Sequence, residues 1–203
     1  MFTLYAVPFT CSLAIHATLA FQEREFEVRW VHRGPNRQIS DADFMDVNPK
    51  RKVPVLVSPD GERLTEMVGI AHYLDERAGY SSVQRRRHLE WLGFLSSELH
   101  QQVIAPLFDA DAPVEHRLDA VGRLLPTVLG PLDDVLSGQP WLTQAGGPRP
   151  ADMYLLWGLM LLRHHDQTLL TPALAAFLKR GLSLPTVART LGVERSVLGE
   201  RSA

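Results

Sequence analysis

Every run of this chain that reads as a β-strand lies before residue 66, and no convincing strand follows residue 80, a division that points to an α+β chain of two domains. Residues 2–7 mix aromatic, β-branched and apolar side chains and stop at Pro8, as a short buried strand does before a turn. Residues 12–21 turn helical, with Leu13, Ile15, Ala17, Leu19 and Ala20 forming a broadly apolar helix and Thr10 or Ser12 available as its cap. A second strand is expected over 26–31, where Phe26, Val28 and Trp30 alternate with charged neighbours. Gly34, Pro35 and Asn36 mark a loop, and Ser40 with Asp43 starts a short helix ending before Asn48-Pro49. Val53 and Val55-Leu56-Val57 flank Pro54, and Pro59-Asp60-Gly61 separates them from Arg63-Leu64-Thr65, a β-hairpin signal. Residues 66–77 then carry Met67, Ile70, Ala71 and Leu74 at helical spacing, with Gly79 where a C-terminal glycine belongs. The first domain, 1–79, therefore spells strand, helix, strand, helix, hairpin, helix.

Ser81-Ser82 and the basic run Arg85-Arg86-Arg87 mark a shift into an all-helical second domain, 80–203. Its apolar stripes run through Leu89, Leu92, Phe94, Leu95 and Leu99, then over 116–136, 153–162, 172–180 and 184–198. Pro148-Arg149-Pro150 is a loop feeding the buried helix, with Asp152 placed in its first turn against the positive end of the dipole. The run over 153–162 is far shorter than the roughly 20 residues of a membrane span and ends in Arg163-His164-His165-Asp166. The opening 21 residues hold no Lys or Arg and are broken by Pro8, Cys11 and His16, so they read as structure rather than as a leader. A formal charge of −2, from 21 basic and 23 acidic residues, lacks the footprint of a nucleic-acid or anionic-membrane binder. The single cysteine excludes an internal disulfide, a CxxC pair and a cysteine-built zinc site; a reducing cytoplasm is expected and no metal.

Three features could carry chemistry. Cys11 sits at the N-terminus of the first helix, where free amides and the dipole lower a thiol's pKa, and Ser12 beside it could donate to a thiolate; equally, Cys11 could be a small buried hydrophobe and Ser12 a cap. A cis bond at Val53-Pro54 would turn the Val53 amide and carbonyl outward to pair with an extended peptide, whereas a trans proline would be an ordinary strand edge. At Thr65-Glu66-Met67 a carboxylate and the free amides of a helix start suit an amino-acid headgroup, or simply cap the helix.

The order and spacing of Thr10-Cys11-Ser12, Asn48-Pro49-Lys50-Arg51-Lys52-Val53-Pro54-Val55-Leu56, Asp60-Gly61, Leu64-Thr65-Glu66 and Ala71-His72-Tyr73-Leu74 resemble the N-terminal domain of a glutathione S-transferase. The stretch from Glu90 to His100 with Pro106-Leu107-Phe108, then Trp141-Leu142, Ala151-Asp152-Met153-Tyr154-Leu155 and Leu184-Pro185, is similar to the bacterial, cysteine-containing beta class over essentially the whole chain. The resemblance implies a thioredoxin-like βαβαββα domain followed by an all-α domain, a homodimer, glutathione as co-substrate on the first domain and a small-molecule electrophile between the two. It places Cys11 beside the glutathione sulfur with Ser12 as its hydrogen-bonding neighbour, Val53 as the backbone clamp before cis-Pro54, and Glu66 on the γ-glutamyl amine. Ser97 and Glu98 would reach the glutathione of the other subunit, and His100 would line the electrophile cleft with Phe9, Ile104, Phe108 and Trp157.

The chain departs from that pattern at three positions. Met67 stands where the family has Ser or Thr, which removes a charge-assisted hydrogen bond of about 1.5–3 kcal/mol, roughly 10- to 150-fold in affinity. Gly93 replaces an asparagine that contacts the peptide, and Arg149 replaces the Ser or Thr that caps the helix three residues before Asp152. The basic residues His32, Arg33, Lys50, Arg51 and Lys52 could compensate by pairing with glutathione's carboxylates, or could be a solvated face. The leading expectation is a cytosolic transferase that adds or exchanges the glutathione thiolate at a small apolar electrophile. An isomerase or thioether lyase on the same fold, and a non-catalytic binding protein, are the alternatives.

Overall fold

The computed structural model describes residues 1–34, 39, 41–76, 80–143 and 146–202; the expected turn at Pro35-Asn36, the start at Ser40 and the Gly79 cap lie outside them. β1 (Phe2–Ala6), β2 (Phe26–Trp30), β3 (Val55–Val57) and β4 (Arg63–Thr65) form one sheet in the order β2-β1-β3-β4. β2 runs parallel to β1 with Phe2 opposite Phe26, while β3 is antiparallel to both β1 and β4, with Leu56 between Leu4 and Leu64. With α1 (Ser12–Phe21), α2 (Ala42–Val47) and α3 (Met67–Glu76), this is the βαβαββα order of a thioredoxin-like unit.

Beyond residue 80 the described residues form helices only. α4 covers 82–107 and α5 covers 114–138; each contains a stretch of wide π-type turns, Leu95–Ile104 and Ala120–Leu124. α6 (Pro150–His165), α7 (Pro172–Leu182) and α8 (Pro185–Ser202) complete the chain. Among the described residues no helix is long and apolar enough to cross a membrane.

Two faces of the sheet are covered differently. On one, Val7, Val31, Ile39, Phe44 and Val55 form a small cluster under α2. On the other, α1 is buried along almost its whole length because it packs on the sheet and against α6 and α8 at once. That explains why its sequence is apolar all round rather than striped. Gly158 on α6 lets that helix approach α4, since an added Cβ there would sit 2.9 Å from a Leu99 methyl. The stripe expected on α4 is only partly inward: Leu92, Leu95 and Leu99 are buried, whereas Leu89 is exposed.

Candidate functional site

A cleft of about 520 Å3 opens between the sheet unit and the helices. Its sheet-side wall is made by Phe9, Thr10 and Cys11 from the β1–α1 turn, Lys52, Val53 and Pro54 before β3, and Glu66 and Met67 at the start of α3. The helical wall is made by His100, Ile104 and Phe108 of α4 and by Tyr154, Trp157 and Leu161 of α6. Residues far apart in sequence thus meet as expected, and Arg33 also faces the cleft. Ser12, Ser97 and Glu98 do not line it. The Ser97 hydroxyl lies 3.1 Å from the Gly93 carbonyl and 2.9 Å from the Glu98 carboxylate on the outer side of α4, with one proton to donate to either. Gly93 is exposed, with open space where a side chain would stand.

The sheet-side wall is shaped by backbone. The Val53-Pro54 bond is cis, and Phe9, Arg51 and Glu66 have φ of 57°, 55° and 70°, left-handed values that non-glycine residues adopt only when surroundings hold them there. Phe9 is held from both sides: its N–H donates to Glu194 Oε2 at 2.6 Å, and its carbonyl accepts from Trp157 Nε1 at 3.1 Å. Glu194, wholly buried on α8, meets His16 Nδ1 of α1 with its other oxygen at 3.0 Å. Sequence reasoning missed this residue; the signal was an acid at a position of α8 that the apolar stripe should have filled. Around the other corner, Asn48 is buried and organises 48–52 by donating to the Lys52 carbonyl and accepting from the Lys50 amide.

The structure bears on the two readings left open for Cys11 and Ser12. Burial pushes the Cys11 thiol up to about 12, although the amides of Cys11 and Ser12 and the charge of Arg33 pull the other way. Desolvation therefore outweighs the helix N-terminus, and Cys11 is a neutral thiol near pH 7 whose sulfur lies 3.8 Å from the Val53 carbonyl. Ser12 is fully buried, and its hydroxyl serves the turn: it donates to the Val7 carbonyl at 3.0 Å, accepts from the Val7 amide, and shares a bond with Thr10 Oγ1 at 2.9 Å. Thr10, which the sequence suggested only as a cap, does line the cleft, and its hydroxyl donates to the Val7 carbonyl at 2.9 Å.

At the head of α3, Glu66 lies outside the helix and points an exposed carboxylate at Lys50 Nζ, 2.7 Å away. Lys50 also donates to Thr65 Oγ1 at 2.9 Å. Met67 begins the helix and turns into the core, so its first-turn amides are uncovered by any side-chain hydroxyl of that residue. Lys52 is exposed at the cleft, as the compensating cations require, and Lys50 is engaged with Glu66.

On the helical wall, His100 Nδ1 and the Tyr154 hydroxyl are 2.5 Å apart. Trp157 packs edge-on to His100 at 4.7 Å between ring centres and stacks on Tyr154 at 5.7 Å. Burial, helped by the charge of Lys52, lowers His100 to about 4, so its ring is neutral at pH 7. Burial also lifts the Tyr154 phenol above its ordinary range. The sequence identified His100 and Trp157 but not Tyr154, whose partner is 54 positions away.

Comparison with known proteins agrees with this geometry. A family model described as the glutathione S-transferase N-terminal domain matches residues 10–77. Glutathione S-transferase GstA of Escherichia coli O157:H7 is 31% identical, covering 94% of this chain and 98% of that one. A sphingomonad glutathione S-transferase solved in complex with glutathione superposes with a TM-score of 0.83 at 30% identity, covering 95% and 98% of the two chains. A beta-class enzyme from Sphingomonas chungbukensis gives 0.81 at 31% identity over the same shares, 95% and 98%.

Proposed function

The chain belongs to the glutathione S-transferase family, and from that membership we propose that it binds glutathione in the cleft and adds its sulfur to a small, largely apolar electrophile. The observation that carries this reading is the convergence of Cys11, Val53-cis-Pro54 and Glu66 on one wall with His100, Phe108 and Trp157 on the other. A relative of the same fold was solved with glutathione bound, which supports placing the tripeptide here.

In this reading the γ-glutamyl ammonium replaces Lys50 at Glu66, and its carboxylate meets the first-turn amides of α3. The cysteinyl main chain pairs with Val53, and the glycyl carboxylate lies toward Lys52 and Arg33. The sulfur then reaches the Thr10-Cys11 turn, where the Cys11 and Ser12 amides stabilise a thiolate while the electrophile is held against Ile104 and Phe108. Cys11 contributes as a neutral neighbour of that sulfur. Ser97 and Glu98, on the outer side of α4, are available to a second subunit of a homodimer. The division into domains 1–79 and 80–203 and a cytoplasmic location belong to the same proposal.

Calorimetry with glutathione and turnover of a chromogenic aryl halide test it together. Micromolar binding that is lost in Glu66→Ala, with glutathione-dependent turnover, is expected. No heat of binding and no turnover across several electrophile classes would end the transferase reading.

A further inference from the structure

We propose that Lys52 sets the electrophile class of the cleft: an apolar molecule that carries a carboxylate, which the Lys52 ammonium receives. The proposal rests on the transferase reading and names the second substrate of the same site.

The argument starts from how Lys52 is held. Asn48 donates to its carbonyl at 2.8 Å, left-handed Arg51 precedes it, and the cis Val53-Pro54 bond follows, so the side chain leaves from a fixed main chain. It is exposed at the cleft, and among the described residues no hydrogen bond or ion pair engages its ammonium. Lys50, two positions earlier, is committed instead to Glu66 and Thr65.

The charges of the cleft divide between its two walls. At the thiol turn, Cys11 feels Arg33 and Glu66. On the helical wall, His100 feels Lys52, so this ammonium is directed across the cleft toward α4. The described lining residues of that wall include no Asp, Glu, Lys or Arg. Burial keeps its two titratable rings, His100 and Tyr154, uncharged at pH 7. Ile104, Phe108, Trp157 and Leu161 make most of the remainder apolar. A cation without a counter-charge therefore faces an uncharged, largely apolar wall.

An apolar body bearing one carboxylate satisfies both features at once. A neutral electrophile leaves the ammonium unpaired, and a cationic one is repelled. For an aryl chloride of this class, glutathione sulfur bonds to the ring carbon, chloride leaves with its electron pair, and the thiol proton passes to solvent. Nothing is oxidised or reduced, and the carboxylate takes no part in the bond changes. Its pairing with Lys52 brings the substrate in and orients it.

The test uses the whole protein with saturating glutathione and two electrophiles of nearly one shape, 4-chloro-3,5-dinitrobenzoate and 4-chloro-3,5-dinitrobenzamide. Each kcat/KM is divided by the uncatalysed rate with glutathione, which removes their difference in reactivity. The wild type is expected to favour the benzoate about fivefold, the upper range for an exposed ion pair. That preference should shrink as salt rises from about 0.02 to 0.5 M, a readout that needs no variant. Lys52→Gln is expected to abolish the preference, Lys52→Glu to reverse it, and Lys52→Arg to keep it. Any weakening of glutathione binding in these variants affects both electrophiles alike, so the ratio isolates the second substrate. A wild type that does not favour the benzoate, or a ratio unchanged in Lys52→Gln, overturns the proposal and leaves the transferase intact. Failure of the wild type to convert either compound brings down the transferase reading, and the proposal with it.

Discussion

The two walls of the cleft recognise by different means. The sheet-side wall presents main chain: a cis peptide, left-handed residues at Phe9 and Glu66, and helix-start amides. The helical wall presents side chains, with His100, Tyr154 and Trp157 interlocked across α4 and α6. A main-chain wall tolerates many side chains but no shift of backbone, so it suits a fixed co-substrate. A side-chain wall can be rebuilt by substitution, so it suits a varying one. The two must also stay in register, and two buried charge ties join the sheet unit to the helices: Asp75 with Arg149, and Glu194 with Phe9 and His16. The first is remote from the cleft and the second grips it.

The largest effect is expected at the remote tie. Arg149 donates from Nε to Asp75 Oδ1 at 2.8 Å and from Nη1 to the Gln84 carbonyl at 2.7 Å, and its guanidinium lies 4.0 Å from the centre of the Tyr80 ring. Arg149, which departs from the capping residue expected there, thus bridges α3 and the head of α6. The cap itself is kept by Asp152, which accepts from the Arg149 and Leu142 amides. Arg149→Met strands a buried carboxylate, for which a loss of about 3–5 kcal/mol is expected, or a fall in Tm of roughly 10 °C for a chain of this size. Although burial acts to raise Asp75, the His88 ring 3.2 Å away and the Arg149 guanidinium hydrogen-bonded to it hold it below 3.8. Its stabilisation is therefore complete above pH 3.8 and drains as pH falls through the lowered value. Acid unfolding should begin at higher pH in Arg149→Met. At low temperature kcat of the folded variant is expected within about twofold of wild type, since one tie is remote. Thermal and acid unfolding with an assay at 15 °C would check this; a large drop in kcat would show that the distinction between the ties is wrong.

Next in size is the tie that grips the wall. Glu194→Gln keeps an acceptor but removes the charge facing the Phe9 amide and His16, at an expected cost of about 1.5–3 kcal/mol. Because Phe9 is left-handed only while clamped, glutathione-dependent kcat/KM is expected to fall about tenfold as well, a local loss expressed in rate. Unfolding curves and steady-state kinetics on the same preparation separate the two. Stability lost without any change in rate would mean that Glu194 does not position the wall.

These two walls also mark where the sequence was readable. Pro54 before a β-branched run, Thr65-Glu66 at a helix start and Gly61 in the hairpin are local punctuation, and local punctuation is what sets main-chain shape. The succession of strands and helices along the first 79 residues follows from the same short-range signals, whereas the order of strands within the sheet does not. Tyr154 and Glu194 meet their partners 54 and 185 positions away, and each looked like a member of a helix stripe. The two readings of Cys11 stayed open for a different reason. The helix N-terminus is visible in sequence, whereas the desolvation that outweighs it arises only when α4 and α6 close over the turn.

A smaller effect is expected at the head of α3. In the proposed glutathione site, Met67→Ser supplies the hydroxyl expected from the sequence resemblance to meet the γ-glutamyl carboxylate, so glutathione should bind about tenfold more tightly. Met67 is 7% exposed and belongs to the core, so the same change should lower stability by about 2 kcal/mol. Calorimetry and a melting curve should therefore move in opposite directions. Weaker binding would mean that methionine packing, rather than the absent hydroxyl, governs this end of the site.

The smallest effect is expected at the residue that first drew attention. With its thiol raised to about 12 by burial, only about one Cys11 in 10⁵ is a thiolate at pH 7, so it cannot be the main nucleophile. Cys11→Ala should leave addition of glutathione to an aryl halide within about threefold of wild type, because the amides that face the sulfur belong to the backbone and survive the change. The alkylation rate of wild-type Cys11 by iodoacetamide should keep rising with pH beyond 9 instead of levelling near neutrality, since the reactive species is still accumulating. Bound glutathione would bring a second anion beside the thiol, which disfavours its ionisation further and should slow alkylation more. A rate that plateaus near pH 7, or turnover abolished in Cys11→Ala, would mean that the helix N-terminus prevails over burial at this turn, and the main-chain wall would then owe its chemistry to a side chain after all.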